Sequence, residues 1–194
     1  MAEAARRRAS YQDILVAPPH LVAEILDGEL SLQPRPGTAH AAATSALGGE
    51  LTPPFGRGRG GPGGWLIVDG PELHLGEDVV VPDLAGWRWE RLSRLPDAPY
   101  VTVAPDWVCE ALSPRTARLD RTKKRPVYAR EGVRWLWFLD AIARTLEAFE
   151  LAEGRYAVLG SWSDNARARI LPFDAMELEL SALWEDVELG QPER

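Results

Sequence analysis

Cysteine is almost missing from this chain. The one thiol, Cys109, has no internal partner for a disulfide, and its place in the apolar run DWVCEAL marks it as a small buried hydrophobe rather than a nucleophile. No apolar run approaches the roughly 20 residues needed to cross a bilayer. The opening MAEAARRRAS has arginines but no apolar stretch behind them, so a cytoplasmic protein without membrane contact is expected. Histidine is scarce, and His20, His40 and His74 are too scattered to suggest a zinc site. There is no Gly-x-Ser-x-Gly elbow. The glycine-rich PPFGRGRGGPGG lacks a Gly-Lys-Ser/Thr ending and leads into a strand, which excludes a P-loop. Positive charge is also in deficit: 22 Lys and Arg against 29 Asp and Glu leave −7, which argues against a broad surface for gripping polyanions.

What is present suits one sizeable core. With 194 residues, 45% of them hydrophobic, a single domain over 1–194 is expected, with an ordered core of about 10–186, a flexible N-terminus, a mobile glycine-rich loop over 56–64 and a frayed end after Gly190. Ser10 and Asp13 form a capping box for a short helix through Val16. Leu21 to Leu26 and Glu29 to Gln33 flank Asp27-Gly28, a hairpin signal. Thr38 to Leu51 is Ala-rich and reads as a helix. Strands follow at Trp65 to Val68, Leu73 to Leu75 and Val79 to Trp87. The run Trp135 to Leu139 is apolar at every position, as in a strand buried on both faces. Thr145 to Leu151 and Tyr156 to Leu159 make a second hairpin about Glu153-Gly154. Arg169 to Phe173 is a last short strand, and Leu178, Leu180, Leu183 and Trp184 are expected to dock the acidic tail.

Two acids stand out. VVVPDLAGW (79–87) and DWVCEALSP (106–114) are apolar and of strand length, yet each holds one carboxylate, Asp83 and Glu110. An ionised carboxylate among Val, Leu, Ala and Trp needs a cation or a set of donors. On neighbouring strands the pair would form a small negative pocket suited to a hard divalent metal such as Mg2+. The next segment, RTARLDRTKKRPVYAR (115–130), is basic and reads as helical. Asp120, Lys124 and Tyr128 fall at i, i+4 and i+8 and share a face of a regular helix. Lys124 is the candidate cation. Pro126 would break that helix, which makes Lys123 the fallback. Arg115, Arg118 and Arg121 read either as a solvated face or as a local phosphate-facing patch.

In order, these residues resemble the Uma2, or DUF820, family, a branch of the PD-(D/E)xK nucleases. The matching positions are Pro82 and Asp83; Glu110, Leu112, Ser113 and Pro114; Thr116, Asp120, Lys124 and Tyr128; Gly132 and Val133; Trp137 and Asp140. The resemblance extends from about Tyr11, through Leu26 to Leu30 and His40, to Trp184. It implies an α/β fold with a restriction-endonuclease-like core, α-β-β-β-α-β, whose mixed central sheet is flanked by helices, with an added N-terminal β-hairpin and a C-terminal β extension. It further implies a metal-dependent endonuclease in which Asp83, Glu110 and the backbone carbonyl of Ala111 hold Mg2+, with Mn2+ as an alternative. The substrate would be nucleic acid, DNA favoured over RNA, cut by a homodimer. The standard motif has its lysine two residues after the glutamate, where Leu112 stands here; the Uma2 pattern carries it on the following helix, at Lys124. Glu24 and Glu29 lie on the arms of the first hairpin, where an exposed carboxylate is the favoured reading over an extra acid at the metal. His40 would touch a scissile phosphate or cap its helix.

Two other functions fit the residues. The nuclease-like fold could serve as a module that binds nucleic acid or protein without catalysis, as the acidic charge and displaced lysine suggest. Eight tryptophans with an Asp/Glu pair also fit carbohydrate chemistry, although their alternation within apolar runs favours core packing.

Overall fold

The computed structural model describes residues 7–187. Its first helix, α1 (Tyr11–Leu15), starts at the capping box of Ser10 and Asp13. Strands β1 (Leu21–Leu26) and β2 (Glu29–Pro34) pair antiparallel. Asp27 and Gly28 between them hold φ of 54° and 81°, as a two-residue type I′ turn requires. Helix α2 (Thr38–Leu51) runs on into a π-helical turn, Thr52–Gly56, that buries Pro54 and Phe55. The glycine-rich loop expected over 56–64 starts only where this turn ends. The reason is Phe55, whose ring packs 4.8 Å from that of Phe173. The glycines fold back on the turn, with the amides of Arg59 and Gly63 donating to the carbonyls of Pro53 and Pro54 at 2.8 and 2.9 Å.

Five strands follow: β3 (Trp65–Asp69), β4 (Leu73–Leu75), β5 (Asp78–Val80), β6 (Leu84–Arg88) and β7 (Trp107–Ala111). The basic segment folds as α3 (Ala117–Leu119), a π-helical turn at Asp120–Lys124 and α4 (Arg125–Arg130). Then come β8 (Trp135–Asp140), β9 (Thr145–Ala152), β10 (Arg155–Ser163), β11 (Arg167–Ala168) and β12 (Leu178–Glu179). A six-stranded sheet has the order β10-β9-β8-β7-β6-β3, and a second has β2-β1-β5-β4. In the larger sheet β7 and β8 are parallel and the other neighbours antiparallel. The succession α-β-β-β-α-β runs through α2, β3, β6, β7, the helical segment 117–130 and β8. The hairpin β9–β10 lengthens that sheet, while β4 and β5 leave it to join the first hairpin, with Ile25 opposite Val79.

Alternation along β7 fixes the layers. Trp107, Cys109 and Ala111 pack in one core with Ala43, Leu47 and Leu51 of α2. Val108 points the other way, into a core shared with Val127 and Tyr128 of α4 and with Leu26 and Val80 of the smaller sheet. Glu110, two residues on from Val108, therefore faces α4. Strand β8 is buried on both faces except at Asp140, as its unbroken apolar run requires.

The strand expected at Arg169 to Phe173 is a correction. Pro172 has no amide to offer a ladder, and the pairing falls earlier, Arg167 with Glu179 and Ala168 with Leu178. The tail docks as expected through buried Leu178, Leu180, Leu183 and Trp184, by a 3-10 turn at Leu180–Leu183. The end after Gly190 and the extreme N-terminus lie outside the described residues. Among the described residues no helix is long and apolar enough to cross a membrane.

Six of the eight tryptophans are buried and a seventh, Trp162, packs partly buried against the core, which removes the carbohydrate reading. Trp65, Trp87, Trp107 and Trp137 are fully buried, and Trp89 is the exposed one, at 48%. Trp65 and Trp107 each lie 4.9 Å from Phe173, ring centre to ring centre. Gly86 is what lets these rings lie on the sheet: a Cβ there would stand 3.1 Å from Trp107 and 3.2 Å from Trp65. Both rings are fully buried. Gly86→Ala is expected to destabilise by about 1–3 kcal/mol through overpacking, seen as a lower urea midpoint with an unchanged slope.

Candidate functional site

The antiparallel register of β6 and β7 sets the two acids side by side. Leu84 pairs with Cys109, so Asp83, one residue before the ladder, comes across from Glu110. Asp83 was expected in the middle of a strand; it stands instead at the strand's entrance, because Pro82 cannot extend the ladder. Its side chain is 19% exposed. One carboxylate oxygen accepts the amide of Ala111 at 2.7 Å, and the other lies 2.6 Å from Nε2 of His40. His40 thus has neither a surface nor a capping role: it is wedged against Asp83, with Nδ1 buried and unpaired among the described residues.

Lys124 is the hub. Its Nζ lies 2.7 Å from Oε1 of Glu110, 3.1 Å from Oε1 of Glu24 and 3.9 Å from Oδ1 of Asp120, and donates to the Val81 carbonyl at 3.1 Å. The Tyr128 hydroxyl donates to the same oxygen of Glu110. The side chains of Glu24, Glu110, Asp120 and Lys124 are each only 3–5% exposed. The shared face expected for Asp120, Lys124 and Tyr128 survives Pro126, which falls in the first turn of α4, where its missing N–H is no loss. The π-helical turn before it supplies the change of pitch, a device that clusters at functional sites.

Several expected residues lie elsewhere. Glu29 is exposed at the hairpin turn and is not part of the site. Lys123 points outward to Asp27 at 3.8 Å, so the fallback cation is excluded by its direction. Arg121 is held by Glu147 with its guanidinium over the Phe138 ring, away from the pocket. Arg118 is exposed on α3, whereas Arg115, exposed on the loop after β7, lines a cavity next to the site. Glu24 reverses the favoured reading: it is buried and also accepts the Val81 amide at 2.8 Å. Val22, Glu24 and Leu26 share a face of β1, and an acid between two apolar residues on one face was the signal for it. Asp78 was overlooked. It is buried, accepts the Asp27 amide at 2.7 Å and pairs with Arg130, tying the hairpin turn to α4.

These groups line a cavity of about 60 Å³, the room of one or two waters. Asp83, Glu24, Glu110 and Asp120 share it with one ammonium, so negative charge is in excess. Lys124 is held above its usual range, since Glu110, Glu24 and Asp120 together outweigh the effect of burial. Burial pushes the Glu110 carboxyl well up, with Asp120, Asp83 and Glu24 adding to it and Lys124 opposing. Burial likewise raises Asp120 to about 6, against Lys124 and Thr116.

A folded-state value above the ordinary 3.8 means that the native protein holds the Asp120 proton more tightly than the unfolded chain. The contribution is present below 3.8 and is lost as pH rises through about 6, a loss on the order of 3 kcal/mol. Asp120→Asn is expected to flatten the fall in urea midpoint across this window; an unchanged pH profile would refute the assignment.

Among the described residues, no three Asp, Glu, His or Cys side chains already converge as a metal cage. The carboxylates are turned onto Lys124, Tyr128, His40 and the Ala111 amide. Even so, the donor chemistry fits a hard cation: Asp83, Glu110 and Ala111 line one small cavity, the side-chain donors are oxygens, and the local charge is short of positive groups.

A family model named Uma2 and described as "Putative restriction endonuclease" matches residues 8–182. The crystal structure of "a putative nuclease belonging to DUF820" from Anabaena variabilis superposes with a TM-score of 0.69 at 20% identity, covering 91% of this chain and 98% of that one. That likeness shows a shared α/β fold with a mixed sheet, as the family resemblance implied. No curated protein gives a match.

Proposed function

The chain belongs to the Uma2 family, and from that premise we propose that it is a metal-dependent endonuclease hydrolysing phosphodiester bonds of nucleic acid. The observation that carries this reading is Lys124, buried at 2.7 Å from Glu110 among acids that outnumber it, beside Asp83. Asp83, Glu110 and the carbonyl of Ala111 would hold Mg2+, or Mn2+ in its place. Such a cation supplies Lewis-acid polarisation of the phosphoryl group. The protein's own groups do the rest. The Ala111 amide and His40 hold the Asp83 carboxylate in one orientation. Lys124 orients the attacking water or offsets charge developing on the phosphoryl oxygens. Tyr128 and Asp120 keep Glu110 and Lys124 in place. The family's description favours DNA over RNA, and a homodimer would bring one such site to each strand of a duplex.

A second reading is a nuclease-fold module that binds nucleic acid or a protein without cleaving. It is favoured by the commitment of the carboxylates to protein partners and by the net charge of −7. The two separate on incubation with plasmid, single-stranded DNA and RNA in Mg2+, Mn2+ or EDTA, alongside Asp83→Ala. Divalent-dependent cleavage lost in the variant supports the enzyme; binding without cleavage in every metal supports the module.

A further inference from the structure

The acidic pocket repels the polyanion it is proposed to cut, so a cation nearby must hold the strand. Most basic groups of the helical segment are already committed. Lys124 is buried among acids, Arg121 is held by Glu147, Lys123 by Asp27 and Arg130 by Asp78. Arg125 lies over the Phe149 ring and donates to the Tyr156 carbonyl.

A second cavity, of about 310 Å³, adjoins the first and shares Pro34, Pro36, His40 and Thr116 with it. Two exposed arginines line this one and not the other, Arg35 after β2 and Arg115 after β7. Arg35 spends one nitrogen on the Pro19 carbonyl at 3.0 Å, which leaves the rest of its fork available. Arg115 has no ion pair among the described residues. Gly37, also in the lining, is the residue that caps α2 and has no side chain to do so, so first-turn amides add to the positive potential. Pro34, Pro36 and Pro114 give flat apolar walls. A guanidinium suits phosphate oxygens by its planar fork, the prolines suit a sugar, and the volume admits about one nucleotide.

We propose that this cavity seats the backbone phosphate next to the scissile one, clamped between Arg35 and Arg115 with its sugar against the prolines, while His40 marks the boundary with the cleavage pocket. The clamp rests on the nuclease reading for its register, but phosphate recognition is measured separately from cleavage. It reads no base and so confers no sequence preference.

The test uses Arg35→Ala/Arg115→Ala and, as a control for general loss of charge, Arg118→Ala. A fluorescein-labelled DNA duplex and its single strand are titrated in Ca2+ at salt from about 50 to 200 mM, and cleavage is followed separately in Mg2+. The double variant is expected to bind about tenfold or more weaker, with a salt slope smaller by about one. KM should change more than kcat, and Arg118→Ala should behave as wild type. Wild-type affinity and slope in the double variant would overturn the clamp, as would an equal loss in Arg118→Ala. If wild type binds through the two arginines but cleaves nothing, the clamp stands and the nuclease reading falls. If it cleaves without regard to them, the reverse holds. If it neither binds nor cleaves, both fall.

Discussion

Asp83→Ala is expected to reduce cleavage by about a thousandfold or more, the scale on which removal of a central electrostatic group acts, and Glu110→Ala by a similar factor. The two variants should differ in stability. Asp83 accepts the Ala111 amide and meets His40, so its loss leaves buried polar groups without partners, at about 1–3 kcal/mol. Removing Glu110 deprives one buried group, the Tyr128 hydroxyl, of its acceptor, but Glu110 is also held up in pKa by burial and by its acidic neighbours, and taking it away relieves that crowding while Lys124 keeps Glu24 and Asp120 as partners. Glu110→Ala should therefore lose activity with a smaller stability deficit than Asp83→Ala. Measured turnover of plasmid in Mg2+, set against urea midpoints of the same proteins, checks both halves. Cleavage within tenfold of wild type in either variant would remove that acid from the mechanism.

Lys124→Met is expected to give the largest loss of stability, about 3–5 kcal/mol, because it strands buried carboxylates without a counter-charge. Glu110, Glu24 and Asp120 would then face one another across the small cavity. The deficit should shrink on acidification, since Glu110 and Asp120 already hold protons more firmly than ordinary carboxyls. Mg2+ should restore part of it, as any ligand that binds only the native state does, by about 2.7 kcal/mol at a hundred times its dissociation constant. Urea unfolding in EDTA and in Mg2+ reads both effects. A variant as stable as wild type, with no response to pH or Mg2+, would show that Lys124 is not the counter-charge assigned to it.

Local rules carried much of the fold into the sequence. Asp27-Gly28 set a hairpin, Ala-rich 38–51 a helix and the unbroken apolar run at 135–139 a strand buried on both faces, because each depends on neighbours a few residues away. Asp83, Glu110 and Lys124 were legible as acids out of place and a cation at helical spacing. What stayed hidden depends on distant partners. The alternation of β1 gave Glu24 a face but not the lysine a hundred residues later that lies on it. The directions of Lys123 and Arg121 turned on the π-helical turn, whose altered pitch leaves no local signature. The departure of β4 and β5 to the smaller sheet follows from pairing with β1, which no periodicity within 73–80 announces. Arg35 had no local signal, since only the fold brings it and Arg115 to the lining of one cavity.

Glu24 is carried by the smaller sheet, Glu110 by the larger, and one ammonium joins them. Docking of the two sheets and the charge state of the cavity are therefore a single equilibrium: whatever draws the carboxylates together tightens the seam, and whatever pushes them apart loosens it. The amino-terminal hairpin is in that sense a wall of the acidic cavity, and its local opening would unmake the cavity even with the main sheet intact.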